Sequence, residues 1–194
     1  KSAWASQLTN ESFHMMAPEP FLELIREFEK ATNLPYDLAL LYVEAIGHKL
    51  QALLSELYKR KVTIHLRAKD PFSMQRKLNG VTVNEMTDLL GLIVVFQEGD
   101  YDERVANQAG RSLGKVLKKK TGRHTPAGRA YESYRVVVKL PLESGVPIAD
   151  ESDEARRVTK RYLEMLFFSE REYTKYLSDV AAHYRYQAKR ERSD

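Results

Sequence analysis

At 194 residues the chain suffices for one domain, or for one domain with a helical extension. The absence of cysteine excludes disulfides and thiol chemistry, and no apolar run nears the roughly 20 residues of a membrane span, so a soluble protein is expected. The net charge is only +4, so where the charge gathers matters more than its sum.

Lys1 opens the sequence without Met or a signal-peptide pattern, as a fragment or a processed chain would. "APEPFLELIREFEKAT" predicts a helix with Phe21, Leu22, Leu24, Ile25 and Phe28 on one side. "LPYDLALLYVEAIGHKLQALLSELYKRK" predicts a longer one, with Leu38, Leu41, Ile46, Leu50, Leu53 and Leu57 near helical spacing. The period then changes. "VTIHL" is a short β-branched strand, "PFSMQRKLNG" a short helix closed by Asn79-Gly80, and "LIVVFQE" the continuous apolar run of a buried strand. "DYDERVANQAGRSLGKVLKKK" returns to helix, capped by Asp100 or a neighbour, and a loop rich in Gly, Lys and Arg follows. "YESYRVVVKLPL" is a strand, "ESGVPIADESDEA" a polar connection, "RVTKRYLEMLFF" another strand, and the chain is helical from Ser169. The expected fold class is α/β (α+β), a mixed β-sheet core flanked by N- and C-terminal helices. Residues 1–60 form an N-terminal helical segment packing on the core, 61–190 the core domain, and 191–194 a frayed tail.

Four places carry the chemistry, each at a strand end or a strand-to-helix turn. Arg67, Lys69, Ser73 and Lys77 form a basic cluster in which Ser73 and Lys77 share a helix face, so the group suits polyphosphate. A solvated charged turn is the alternative. Asp88 precedes the buried strand, followed by Gly91, where a carboxylate can hold Mg²⁺ or merely cap a turn. Tyr131, Ser133 and Arg135 alternate, so a strand puts them on one face with Tyr134 on the other. Glu164 is an acid among apolar neighbours, and a buried carboxylate is costly unless paired or metal-bound. Should Asp88 and Glu164 lie together, their repulsion raises one pKa. Between Lys115 and Lys139 stand eight cations (Lys115, Lys118, Lys119, Lys120, Arg123, Arg129, Arg135, Lys139) against Glu132 alone. Such a surface suits nucleotide phosphates or an RNA backbone.

The order R-x-K-x-x-x-S-x-x-x-K, D-x-x-G, Y-x-S-x-basic and a strand Glu resembles the synthetase domain of the RelA/SpoT alarmone synthetases. The likeness runs from about Val62 to Tyr186 and includes "AHYRYQ". It implies a nucleotidyltransferase-like fold and pyrophosphoryl transfer from ATP to the 3′-hydroxyl of a purine nucleotide or a tRNA end, in some relatives as a toxin. It makes Arg67, Lys69, Ser73 and Lys77 the ATP-phosphate site. Asp88 and Glu164 become catalytic carboxylates holding Mg²⁺, with Glu164 a candidate base. Tyr131, Ser133 and Arg135 become the acceptor-binding group, with Tyr131 stacking on the purine. It implies action in the cytoplasm, with export open, and leaves room for a homo-oligomer or a neutralising protein partner. The chain departs from the pattern where Ile93, Leu166 and Phe168 replace polar residues and Arg135 replaces a His. A catalytically inactive domain binding nucleotide, RNA or protein is the competing expectation.

Overall fold

In the computed structural model, which describes residues 19–78, 81–99, 101–124, 131–141 and 161–178, two N-terminal helices turn their apolar stripes into one core shared with a five-stranded sheet. Helix α1 is Glu19–Thr32, burying Leu24, Ile25 and Phe28. A single helical turn, Tyr36–Leu38, leads into α2, Ala39–Glu56. Its buried side is Val43, Ile46, Gly47, Leu50 and Leu54. That i, i+3, i+4, i+7 stripe leaves Leu41 and Leu57 exposed, so the expected face is rotated by part of a turn.

Strand β1 is Val62–Ala68, and α3, Pro71–Lys77, follows at once, with Asp70 as its cap. The Asp70 carboxylate accepts the Ser73 N–H at 2.8 Å, and Pro71 sits where no N–H is needed. Strand β2, Leu90–Phe96, is buried along its whole length. Helix α4 is Glu103–Leu113, capped by Asp102, whose side chain accepts the N–H groups of Arg104 and Val105. Here the structure corrects the sequence. Lys115–His124, expected as helix and loop, is strand β3, paired with β4, Tyr131–Lys139. Gly114 makes the junction, because a Cβ there would lie 2.3 Å from the Lys139 carbonyl oxygen. Strand β5 is Tyr162–Ser169, and residues 170–178 form α5, whose first turn opens on the Ser169 hydroxyl accepting the Glu172 N–H. Asn79-Gly80, the polar connection from Glu143 to Ala155, the first four residues of the last expected strand and "AHYRYQ" lie outside the described residues.

The sheet runs β1-β2-β5-β4-β3, with β2 and β5 parallel and the other neighbours antiparallel. It is mixed, as expected. Helices α2 and α4 cover one face, over Leu92, Val94, Val136, Val138, Met165 and Phe167. Alternation sends the other parity to the opposite face: Arg67, Gly91, Glu164 and Val137 in one cross-strand row, then His65, Ile93, Leu166 and Arg135. Arg161, 1% exposed, ties the sheet to α1: its Nε and NH2 donate to the carbonyls of Thr32 and Asn33, both at 2.8 Å.

Candidate active site

The cross-strand row at the β1 end of the open face gathers six charged side chains. Lys69 is held first by its backbone. Its N–H donates to the Leu89 carbonyl at 2.8 Å, and its own carbonyl accepts the Tyr36 hydroxyl at 3.4 Å. Its ammonium, 5% exposed, donates to Asp88 Oδ2 at 2.8 Å. Lys77, one turn after Ser73 on α3, reaches the same oxygen at 2.7 Å. Arg67 spans the gap, with NH2 3.8 Å from Asp88 Oδ2 and NH1 3.7 Å from Glu164 Oε2. The far side is closed by Arg135, whose Nε lies 2.6 Å from Glu164 Oε1. That contact is an ion pair whose N–H is not aimed as in a hydrogen bond.

Gly91 makes the span possible. Register places it between Arg67 on β1 and Glu164 on β5. A Cβ at Gly91 would meet the Glu164 carbonyl oxygen at 3.3 Å and the Arg67 side chain at 3.7 Å. The missing side chain is the passage through which a guanidinium on β1 reaches a carboxylate two strands away.

The electrostatics reverse one expectation. Burial pushes the Asp88 carboxyl up, but hydrogen bonds from Lys69 and Lys77, with their charges, outweigh it and hold the pKa down at about 2. Asp88 answers to cations, not to Glu164. Burial lowers the Lys69 ammonium below its ordinary value; the hydrogen bond and charge of Asp88 oppose that shift, and the charges of Arg67 and Lys77 add to it.

Ser73 lies on α3 one turn before Lys77, whereas Tyr131 and Ser133 lie further along β4. Ser73 spends its backbone N–H on the α3 cap. Tyr131 stands four residues along β4 from Arg135, roughly 13 Å at ~3.3 Å per residue. Its ring meets Tyr176 edge-on at 5.4 Å and Phe168 at 6.0 Å. Ser133 is buried between them on the strand. Ile93, Leu166 and Phe168 fill this end of the face with Val95, and Tyr173 and Tyr176 of α5 pack onto them. His65 stacks on Tyr173 at 4.9 Å. This aromatic cluster escaped the sequence reading, although Tyr173 and Tyr176 at i, i+3, after an S-x-x-E helix start, carried the signal.

A divalent cation, as the resemblance implies, fits these residues. Asp88 Oδ1 is buried without a hydrogen-bond partner, and Mg²⁺ is commonly held by one or two carboxylates plus substrate phosphates. Among the described residues no group of three or more potential ligands converges, so substrate oxygens and water would complete the shell.

Compared by sequence, no protein-family model and no curated protein matches the chain. Compared by structure, the fold is similar to that of a solved small alarmone synthetase and of a GTP pyrophosphokinase family protein. The small alarmone synthetase 1 from Bacillus subtilis superposes with a TM-score of 0.57 at 17% identity, over 79% of this chain and 77% of that one. A GTP pyrophosphokinase family protein from Streptococcus pneumoniae gives 0.52 at 18% identity, over 74% and 73%. No described helix is long and apolar enough to cross a membrane.

Proposed function

We propose that the chain is a pyrophosphoryltransferase, using ATP as donor and the 3′-hydroxyl of a purine nucleotide or of a tRNA end as acceptor. The observation that carries this reading is the convergence of Arg67, Lys69 and Lys77 with Asp88 and Glu164 on the open face of an alarmone-synthetase fold. Lys69 is the fixed anchor for the donor phosphates, while Arg67 and Lys77 are arms that close on them. Ser73, one turn before Lys77, lies beside the donor. Glu164 takes the proton of the 3′-hydroxyl, whose oxygen attacks the β-phosphorus. The bond from the β-phosphorus to the oxygen bridging it to the α-phosphate breaks, and AMP leaves. Asp88 and Glu164 would hold a Mg²⁺ that neutralises charge on the transferred group. The protein otherwise works by positioning and by fixed positive charge. Tyr131, Ser133 and Arg135 take the acceptor, with Arg135 leaving Glu164 for the phosphates where donor and acceptor meet.

One observation favours a second reading, an inactive domain that binds nucleotide, RNA or a protein partner. The Tyr131 ring is already packed on Phe168 and Tyr176, beside Ile93 and Leu166. A single assay separates the two: ATP labelled in its terminal phosphates, Mg²⁺, and each purine nucleotide or tRNA in turn. Label moving to an acceptor, with AMP formed, supports transfer, and Tyr131→Ala should then abolish it while leaving ATP affinity unchanged. ATP bound without transfer to any acceptor supports the second reading. No ATP binding at all refutes the donor site. A toxic role would appear as growth arrest that Glu164→Gln relieves.

A further inference from the structure

The groups suited to polyphosphate and the groups suited to metal are, in this fold, bonded to each other. Asp88 Oδ2 faces Lys69, Lys77 and Arg67 at 2.8, 2.7 and 3.8 Å. Glu164 faces Arg135 through Oε1 and Arg67 through Oε2, at 2.6 and 3.7 Å. Three of the four carboxylate oxygens therefore face a cation within 4 Å, and the fourth, the buried Asp88 Oδ1, has no hydrogen-bond partner. A divalent ion arriving by itself would meet four positive side chains around two negative ones. It would also find one free oxygen where a hard cation wants an octahedral set.

The four cations differ in freedom. Lys69 is 5% exposed and pinned through its backbone. Lys77, Arg135 and Arg67 are 42%, 41% and 34% exposed, so each can swing toward solvent without opening the core. An anion with several negative oxygens above the row would draw these three arms off the carboxylates. The same movement would neutralise the arms and uncover the metal ligands.

We propose that Asp88 and Glu164 take up a divalent cation only together with a polyphosphate, because the arms that grip the polyphosphate are the ones that cover the carboxylates. Lys77 and Arg135 are the guards, one for each carboxylate. The inference rests on the donor-phosphate reading above and adds a thermodynamic coupling to it. By linkage, metal and polyphosphate must each tighten the other by the same factor. Metal without polyphosphate would then leave the site guarded, which protects Glu164 from serving as a base before the donor is in place.

The test uses the whole chain, stripped with chelator, and two ligands measured separately: Mn²⁺ alone by electron paramagnetic resonance, and metal-free inorganic tripolyphosphate by calorimetry. Lys77→Met and Arg135→Met keep side-chain volume while removing the charge, and circular dichroism checks that both fold. The expected result is weak Mn²⁺ binding to the wild type, tightened about tenfold in each variant by the loss of one adjacent positive charge. Tripolyphosphate binding should weaken in the same variants. Adding Asp88→Asn to Lys77→Met should remove the gained Mn²⁺ affinity, which locates the ion. Unchanged or weaker Mn²⁺ binding in both variants, with tripolyphosphate affinity reduced, would overturn the guarding while leaving the donor site standing. Tripolyphosphate affinity unaltered in both variants and in Lys69→Met would refute the donor-phosphate reading, and the coupling with it.

Discussion

The two ends of the open sheet face are built from the same strands and held by opposite means. At one end, Arg67, Gly91 and Glu164 sit side by side, and charge does the holding. Two residues further along β2 and β5, Ile93 and Leu166 take over, then Val95 and Phe168, roofed by Tyr173 and Tyr176. Charged contacts with half-exposed arms exchange partners readily, because water or a ligand can replace either side. Apolar packing has no such substitute, and taking it apart costs the full transfer and cavity terms. The face therefore divides into an end made to rearrange and an end made to stay shut.

The sharpest way to break this division is Phe168→Ala, at the shut end. Phe168 is fully buried, and such truncations cost about 3–5 kcal/mol. Urea unfolding should show that loss, while ATP affinity, measured below the transition, should stay within about twofold if the ends are independent. Coupled losses in both would mean the aromatic end supports the charged one.

Lys69→Met is the counterpart at the other end. ATP affinity should fall by on the order of 1–3 kcal/mol, the worth of a charge-assisted bond. Asp88 keeps Lys77 and Arg67, so the unfolding midpoint should shift far less than in Phe168→Ala. A calorimetric affinity equal to that of the wild type would remove Lys69 from the phosphate site.

Acid sharpens the comparison. The Asp88 pKa is depressed from 3.8 to about 2, so its stabilisation is complete above about 4 and lost as pH falls toward 2. In chelator, unfolding free energy should drop by roughly 2 kcal/mol across that window, at ~1.4 kcal/mol per pKa unit. Asp88→Asn should flatten that part of the curve. A wild-type and variant pair with identical acid limbs would contradict the cationic cage.

The smallest effect is expected where a charge only braces the shut end. Lys175 donates to Glu172 at 2.6 Å, and Glu172 accepts the Glu132 N–H at 2.7 Å beside Tyr131. Lys175→Met should cost no more than ~0.5 kcal/mol, as partly exposed pairs do, and should leave the Tyr131 environment unchanged in near-ultraviolet dichroism.

Much of this was legible in the residues because period and chemistry agreed. β2 reads as a buried strand since both its faces are covered, and the α3 start is marked by Asp70-Pro71. Glu164 stood out because an acid among Leu163, Met165 and Phe167 must have a partner. β3 was illegible for a physical reason. Lys118, Lys119 and Lys120 are all exposed on an edge strand whose contact with the core is at Val116, so the run shows no alternation. The cluster of Tyr131 with Phe168, Tyr173 and Tyr176 depends on α5 folding back across the sheet, which no local period records. In the sequence Gly91 shows only as part of the D-x-x-G spacing. Its use as a passage for Arg67 needs the β1–β2–β5 register.

Arg161 sets a schedule for the growing polypeptide. The carbonyls of Thr32 and Asn33, at the end of α1, bond to a guanidinium that lies 129 and 128 positions later in the sequence. β2 likewise waits for β5 to become its parallel neighbour. On the ribosome, therefore, α1 and α2 emerge long before the side chain that completes them, with Phe28, Leu50 and Leu54 still wet. Loops of that length close slowly, and exposed apolar stripes in the interval are what chaperones hold. Folding of this domain waits until β5 enters the centre of the sheet and brings Arg161 and Glu164 into place together.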